Sequence, residues 1–100
     1  MKKGVLELCV LSMVVNDPMY SGDILKALKN AALLTVEGTL YPLLNRLKDD
    51  GHLVYNWEES KEGPPRKYFS ITEKGRMYYE NLRQQWLALT SSVNKIINNQ

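Results

Sequence analysis

The stretch from Thr35 to Gly51 limits what this chain can fold into more than any other, and its densest part is Gly38-Thr39-Leu40-Tyr41-Pro42-Leu43-Leu44-Asn45-Arg46-Leu47. Leu40, Leu43, Leu44 and Leu47 fall at i, i+3, i+4 and i+7, so a helix here carries one continuous apolar stripe. Its opposite face holds Thr39, Tyr41, Pro42, Asn45, Arg46 and Lys48. Those side chains hydrogen-bond base edges, touch a thymine methyl or neutralise phosphate. Pro42 decides where the helix begins, because an interior proline loses a donor and crowds the carbonyl four residues back, that of Gly38. Either the helix starts nearer Thr39, with Pro42 in its first turn, or it bends there. Both options place the surface from Thr39 to Arg46 near a helix N-terminus. Thr35 is a candidate N-cap and Gly51 the expected C-cap.

The flanks make this helix legible. After Gly51, the run Leu53 to Trp57 alternates apolar and polar positions, a Gly-Pro-Pro tip follows, and Arg66 to Ile71 alternates again, which is the pattern of a β-hairpin. The tip from Glu59 to Pro65 carries too many turn residues to be expected to pair. Before the striped helix, Asn16-Asp17-Pro18 reads as a turn and Ser21 as the cap of an amphipathic helix that buries Ile24, Leu25 and Leu28. Helix, turn, helix and hairpin in this order predict a mainly α fold with a small β-hairpin: a winged helix-turn-helix over residues 1–71. Thr72 then caps a long last helix over residues 72–100, with Glu73 in its first turn.

Two apolar surfaces are left over. The first helix, expected from Gly4 to Val15, is apolar around its whole axis, and such a helix must be covered on all sides. The last helix repeats Tyr79, Leu82, Trp86, Leu89, Val93 and Ile96 at spacings of 3 and 4, a heptad rhythm too short to require a coiled coil. A domain of 100 residues buries a modest core. The expectation is therefore a homodimer whose interface uses Val5, Leu8 and Cys9 of the first helix and Leu82, Trp86, Leu89, Val93 and Ile96 of the last.

Composition excludes more than it selects. A net charge of +2 is only mildly basic, and between Glu58 and Lys67 three bases meet three acids, so the wing is not a basic patch as a whole. Lys61, Arg66 and Lys67 nevertheless project cations able to straddle a phosphate backbone, the alternative being a merely solvated tip. The single cysteine, Cys9, excludes an internal disulfide framework and a multi-thiolate zinc site. With one histidine as well, no nucleophile and base pair has geometry behind it, so no catalytic residue, metal or cofactor is expected. Glu7 interrupts the apolar run after Lys2-Lys3, and no segment approaches the roughly 18 apolar residues of a membrane span. A cytoplasmic protein with no membrane partner is the expectation.

Gly38-Thr39-Leu40-Tyr41-Pro42-Leu43-Leu44-Asn45-Arg46-Leu47, Asp50-Gly51, Trp57, Gly63-Pro64-Pro65-Arg66-Lys67-Tyr68-Phe69 and Thr72-Glu73-Lys74-Gly75 together resemble the signature of the PadR family of bacterial transcriptional regulators. The match spans essentially the whole chain, and one long helix after the wing is similar to the shorter of the family's two subgroups. The resemblance implies a homodimeric repressor that binds a double-stranded operator, an inverted repeat, and leaves it when a small aromatic effector binds. On this reading Thr39, Tyr41, Pro42, Asn45, Arg46, Lys61, Arg66 and Lys67 contact DNA. Trp86 resembles in position the tryptophan that stacks on planar drugs in multidrug-sensing relatives, with Tyr78, Tyr79 and Met13 as neighbours; plain interface packing is the other reading of Trp86. The chain departs from the family at Tyr20-Ser21-Gly22-Asp23-Ile24, where Tyr-Gly-Tyr-Glu-Ile is frequent, at His52, a usual leucine, and at Phe69, where a second tyrosine is common. A winged helix that docks only a partner protein is the rival reading, and salt dependence separates the two because phosphate neutralisation makes affinity fall steeply with salt.

Overall fold

The computed structural model describes residues 2–33 and 37–99; Thr35, the candidate cap, lies outside them. Helix α1 (Lys2–Val14) leads to a two-residue strand β1 (Met19–Tyr20) and helix α2 (Ser21–Asn30). A 3-10 turn (Glu37–Thr39) opens helix α3 (Leu40–Asp49), strands β2 (Leu53–Ser60) and β3 (Gly63–Ile71) form the wing, and helix α4 (Glu73–Ile97) closes the chain.

The leucine stripe does what its spacing predicts. Leu40, Leu43, Leu44 and Leu47 are all buried, joined by Leu6, Val10, Leu11 and Val14 of α1, Ile24 and Leu28 of α2, and Leu53 and Phe69 of the wing. Each buried leucine contributes roughly 2 kcal/mol over its exposed state, so this stripe is the main anchor of α3. Pro42 stands in the first turn of α3, where a missing N–H costs no intrahelical bond. At the other end Gly51 has φ +84°. Its N–H donates to Lys48 O at 2.9 Å and that of His52 to Leu47 O at 2.8 Å, the paired bonds of a Schellman cap. Helix α2 ends in the same motif, with Ala32 N–H on Lys29 O and Leu33 N–H on Leu28 O, both 3.0 Å. There an alanine occupies the left-handed position, at φ 59°.

Three sequence expectations need correction. First, the sheet has three strands, in the order β1-β3-β2, because Met19 pairs with Phe69 and Tyr20 with Tyr68. Second, Ser21 does not cap α2: pairing holds Tyr20 extended as the cap residue without a side-chain bond, and Ser21 is already helical and buried. Third, the wing tip pairs up to Ser60 and Gly63, leaving a two-residue turn, Lys61-Glu62. The register shifts between Glu58 and Ser60, and a bulge accommodates Pro64 and Pro65, which have no N–H to donate, on a part of β3 that lies beyond its pairing with β1 and has no second partner among the described residues.

Thr72 caps α4, its hydroxyl oxygen accepting from Gly75 N at 2.9 Å while its O–H donates to Gly51 O at 2.6 Å. Gly75 is buried, and a Cβ there would lie 2.1 Å from His52 O. Only glycine lets the first turn of α4 sit on the α3 cap this closely. With 25 residues, α4 is about 37 Å long, and it sets the long axis of a 56 × 28 × 21 Å molecule.

Candidate nucleic-acid interface

Because the inner side of α3 is committed to the core, its outer side is free. Thr39, Tyr41, Pro42 and Asn45 are all exposed, forming a row along the first half of the helix. Arg46 is not part of that row. Its guanidinium turns to α1 and its Nη2 lies 2.8 Å from Glu7 Oε1, because position 46 falls on the flank of α3 beside the leucine stripe. Lys48 lies on the other flank, paired with Asp49 at 3.3 Å and 5.7 Å from the centre of the Tyr55 ring.

The wing does not gather its cations. Strand alternation sends Lys67 to one face, opposite Trp57, with Nζ 4.0 Å from the centre of the Tyr55 ring. Arg66 goes to the other face, over Tyr20 at 4.7 Å. Gly22 leaves the space that the Tyr20 ring fills, since a Cβ there would meet Tyr20 Cε2 at 2.5 Å. Lys61 sits exposed in the turn. Cation–π contacts of this kind contribute about 0.5–1 kcal/mol, enough to orient Lys67 and Arg66 while leaving their charges available. Trp57 shares its face with Leu53 and Tyr55, but it stands farther along the strand, past the end of the core, and is 63% exposed.

A polar cluster behind α3 was missed by sequence reasoning. Glu7 is buried in α1, with one oxygen on Arg46 and the other accepting a short hydrogen bond from the Tyr78 hydroxyl of α4. That bond to Glu7, with burial, pushes the Tyr78 pKa up to about 12. The Tyr78 ring also stacks on His52, with centroids 4.2 Å apart and planes at 9°. The available signal was Glu7 itself, the lone charge in the apolar stretch from Gly4 to Val15.

Two grooves meet at Trp86. One, of about 220 Å³, runs between α1 and α4 and is lined by Val5, Leu8, Leu82, Trp86 and Leu89. The second, of about 450 Å³, brings Met13, Tyr79 and Trp86 together with Cys9, whose thiol pKa is raised by burial. Tyr78 is in neither. One residue of helix rotates a side chain by about 100°, so Tyr78 faces Glu7 and His52 while Tyr79 faces the groove. Val93 and Ile96 lie further along α4, 44% and 70% exposed. Among the described residues no group of three or more His, Cys, Asp or Glu is placed to hold a metal, and no helix is long and apolar enough to cross a membrane.

A helix packed by leucine with its outer face bare, a preceding helix across a short connection, and a β-hairpin flanking both define a winged helix. Residues 10–81 match the model of the transcriptional regulator PadR-like family, and the chain belongs to that family. It is 49% identical to a PadR-like transcription factor from Bacteroides fragilis, covering 96% of this chain and 93% of that one with a TM-score of 0.79. A Streptococcus transcriptional regulator is 37% identical, with 94% and 93% covered and a TM-score of 0.84. A PadR-like regulator from Bacillus cereus is 34% identical, with 97% and 95% covered and a TM-score of 0.83.

Proposed function

We propose that this chain is a homodimeric repressor that reads an operator in double-stranded DNA with α3 and is released from it by a small planar aromatic compound. The observation that carries the reading is the row Thr39, Tyr41, Pro42 and Asn45, exposed on a helix whose opposite face is wholly buried. Residues of this kind near a helix N-terminus are placed to meet base edges in a major groove. Lys61, Arg66 and Lys67 then meet phosphates on either side of the wing. Residues 1–71 supply the reading module, and residues 72–100 supply the dimer contact. In that dimer Val5, Leu8, Leu82, Trp86 and Leu89 line the groove between α1 and α4, and Val93 and Ile96 extend it. A two-fold dimer presents two α3 helices, so the operator is an inverted repeat with half-site centres about 34–36 Å apart or a multiple of that.

The test is selection of bound duplexes from a random pool, followed by affinity measurements across a salt series. Log affinity is expected to fall linearly with log salt, and Lys67→Ala or Lys61→Ala to reduce the slope by about 0.9 for each phosphate left without its cation. Binding that is flat in salt, or no duplex selected, would leave the protein-docking reading in its place. For the effector, Tyr79 and Trp86 supply the aromatic wall, with Met13 beside them in the same groove. A Trp57→Phe background, titrated with planar dyes and phenolic acids, should show Trp86 quenching that Trp86→Ala abolishes.

A further inference from the structure

We infer that Glu7 is a positioning residue for the reading helix: its one carboxylate fastens α3, through Arg46, and α4, through Tyr78, to α1. The inference rests on the DNA-reading assignment of α3 and gives Arg46 a different task from contacting DNA.

The geometry is divided evenly. Glu7 Oε1 takes the Arg46 guanidinium at 2.8 Å and Oε2 takes the Tyr78 hydroxyl, so each oxygen serves a different helix. A carboxylate buried in a stretch with no other charge is costly unless paired and hydrogen-bonded, and an aliphatic residue would pack α1 as well. What the carboxylate adds is direction. Hydrogen bonds constrain angle as well as distance, whereas a leucine stripe tolerates rotation of α3 about its own axis. Arg46 follows directly on the exposed Asn45, so its tether sets the angle at which the outer row is presented.

Tyr78 holds α3 at a second point. Its ring stacks on His52, whose N–H closes the α3 cap on Leu47 O. Helix α3 is therefore gripped at Arg46 and at its C-terminus by groups that share the Tyr78–Glu7 bond. The Tyr78 hydroxyl carries its proton at neutral pH and so is the donor of that bond. A guanidinium already paired with a carboxylate at 2.8 Å also brings little net charge to a phosphate.

The experiment compares wild type, Glu7→Gln, Arg46→Gln, the double variant and Tyr78→Phe. Binding to the selected operator and to a random duplex is followed by fluorescence anisotropy across salt, and amide hydrogen exchange is measured without DNA. Expected are an operator affinity lower by about tenfold in Glu7→Gln and in Arg46→Gln, no further weakening in the double variant, an unchanged salt slope and unchanged random-duplex affinity. In the same variants and in Tyr78→Phe, exchange should rise in α3 while β2 and β3 stay protected. Tyr78→Phe removes one oxygen and keeps the test available if Glu7→Gln fails to fold. A fall of about 0.9 in the salt slope of Arg46→Gln, with Glu7→Gln binding like wild type, would overturn the inference and make Arg46 a phosphate contact. Unchanged exchange in α3 would overturn it too. Faster α3 exchange in a protein that binds no duplex even as wild type would uphold the tether and reject the DNA reading.

Discussion

Replacing Gly75 by alanine tests how tightly α4 is seated on the C-terminal cap of α3. The added Cβ would stand 2.1 Å from His52 O, 2.8 Å from Ile71 Cγ1 and 3.0 Å from His52 C. Two of these three neighbours are backbone, so the first turn of α4 has to retreat by about 1 Å to restore an ordinary C···O contact of about 3.3 Å. Such overpacking costs about 1–3 kcal/mol. The same retreat stretches the bonds of Thr72 N to His52 O, at 3.1 Å, and of the Thr72 hydroxyl to Gly51 O, at 2.6 Å, at about 1 kcal/mol each. Better helix propensity returns about 1 kcal/mol. The net expectation is a loss of about 3 kcal/mol, and for a domain this size a Tm lower by more than about 10 °C. Urea unfolding followed by far-UV circular dichroism, at one fixed protein concentration because association shifts the midpoint, measures it. Gly63→Ala is the control: its Cβ meets nothing within 4 Å, and it should stay within about 0.5 kcal/mol of wild type. A Gly75→Ala protein as stable as that control would refute the close seating.

Ala32→Gly should stabilise by about 0.5–1 kcal/mol, because a left-handed alanine at φ 59° carries a Cβ penalty of about 1–2 kcal/mol that exceeds the extra unfolded-state freedom of glycine; a lower urea midpoint would contradict this. In an alkaline absorbance titration one tyrosine should ionise last, near pH 12, and vanish in Tyr78→Phe. Since the folded pKa is raised above the ordinary value near 10, the stabilisation from Tyr78 is whole below pH 10 and lost as pH climbs through 12. Sedimentation at low micromolar concentration should show a dimer, and Ile96→Glu, on a residue 70% exposed in the single chain, should shift it towards monomer; a wild-type monomer that stays folded would remove the dimer reading.

How much was legible follows from the range of the forces involved. The α3 stripe, its start at Pro42, its glycine cap and the Thr72 cap of α4 are local: residues within four positions of one another decide them. The third strand was not, because Met19-Tyr20 pairs only where β3 presents an open edge fifty residues later. That pairing in turn displaced the α2 cap from Ser21. The paired wing tip escaped for another reason, since Pro64 and Pro65 argue against a ladder unless a bulge and a free edge are known to be present. In the site, helical angle gave the outer row of α3, whereas the exposure of Trp57, on the same strand face as Leu53, depends on where the core ends. The side-chain direction of Arg46 depends on a carboxylate 39 residues away, and no period in the chain encodes that. Tyr78 and Tyr79 differ by one helical step, which periodicity resolves only once the partner of each face is known.

The same contacts limit how the proposed effector at Trp86 can act. The first turn of α4 is bound to the α3 cap through Thr72 and through Lys74, whose Nζ donates to Asp50 O at 2.8 Å, and Tyr78 adds the stack on His52. Helices α3 and α4 of one protomer are thus joined over the residues that precede Trp86. Beyond it the large apolar side chains Leu87, Val93, Ile96 and Ile97 are exposed in the single chain, and in the proposed dimer the second copy covers them. In the proposed dimer a planar compound wedged at Trp86 therefore has little purchase on the angle between reading helix and dimer helix within a protomer. Its lever is the angle between the two α4 helices, and because α3 is carried rigidly on α4, that angle sets the spacing of the two reading helices. Only a compound that binds one spacing better than the other shifts the equilibrium. A release mechanism of this kind leaves the α3 amides equally protected with and without ligand, and an exchange measurement that found α3 loosened by the compound would contradict it.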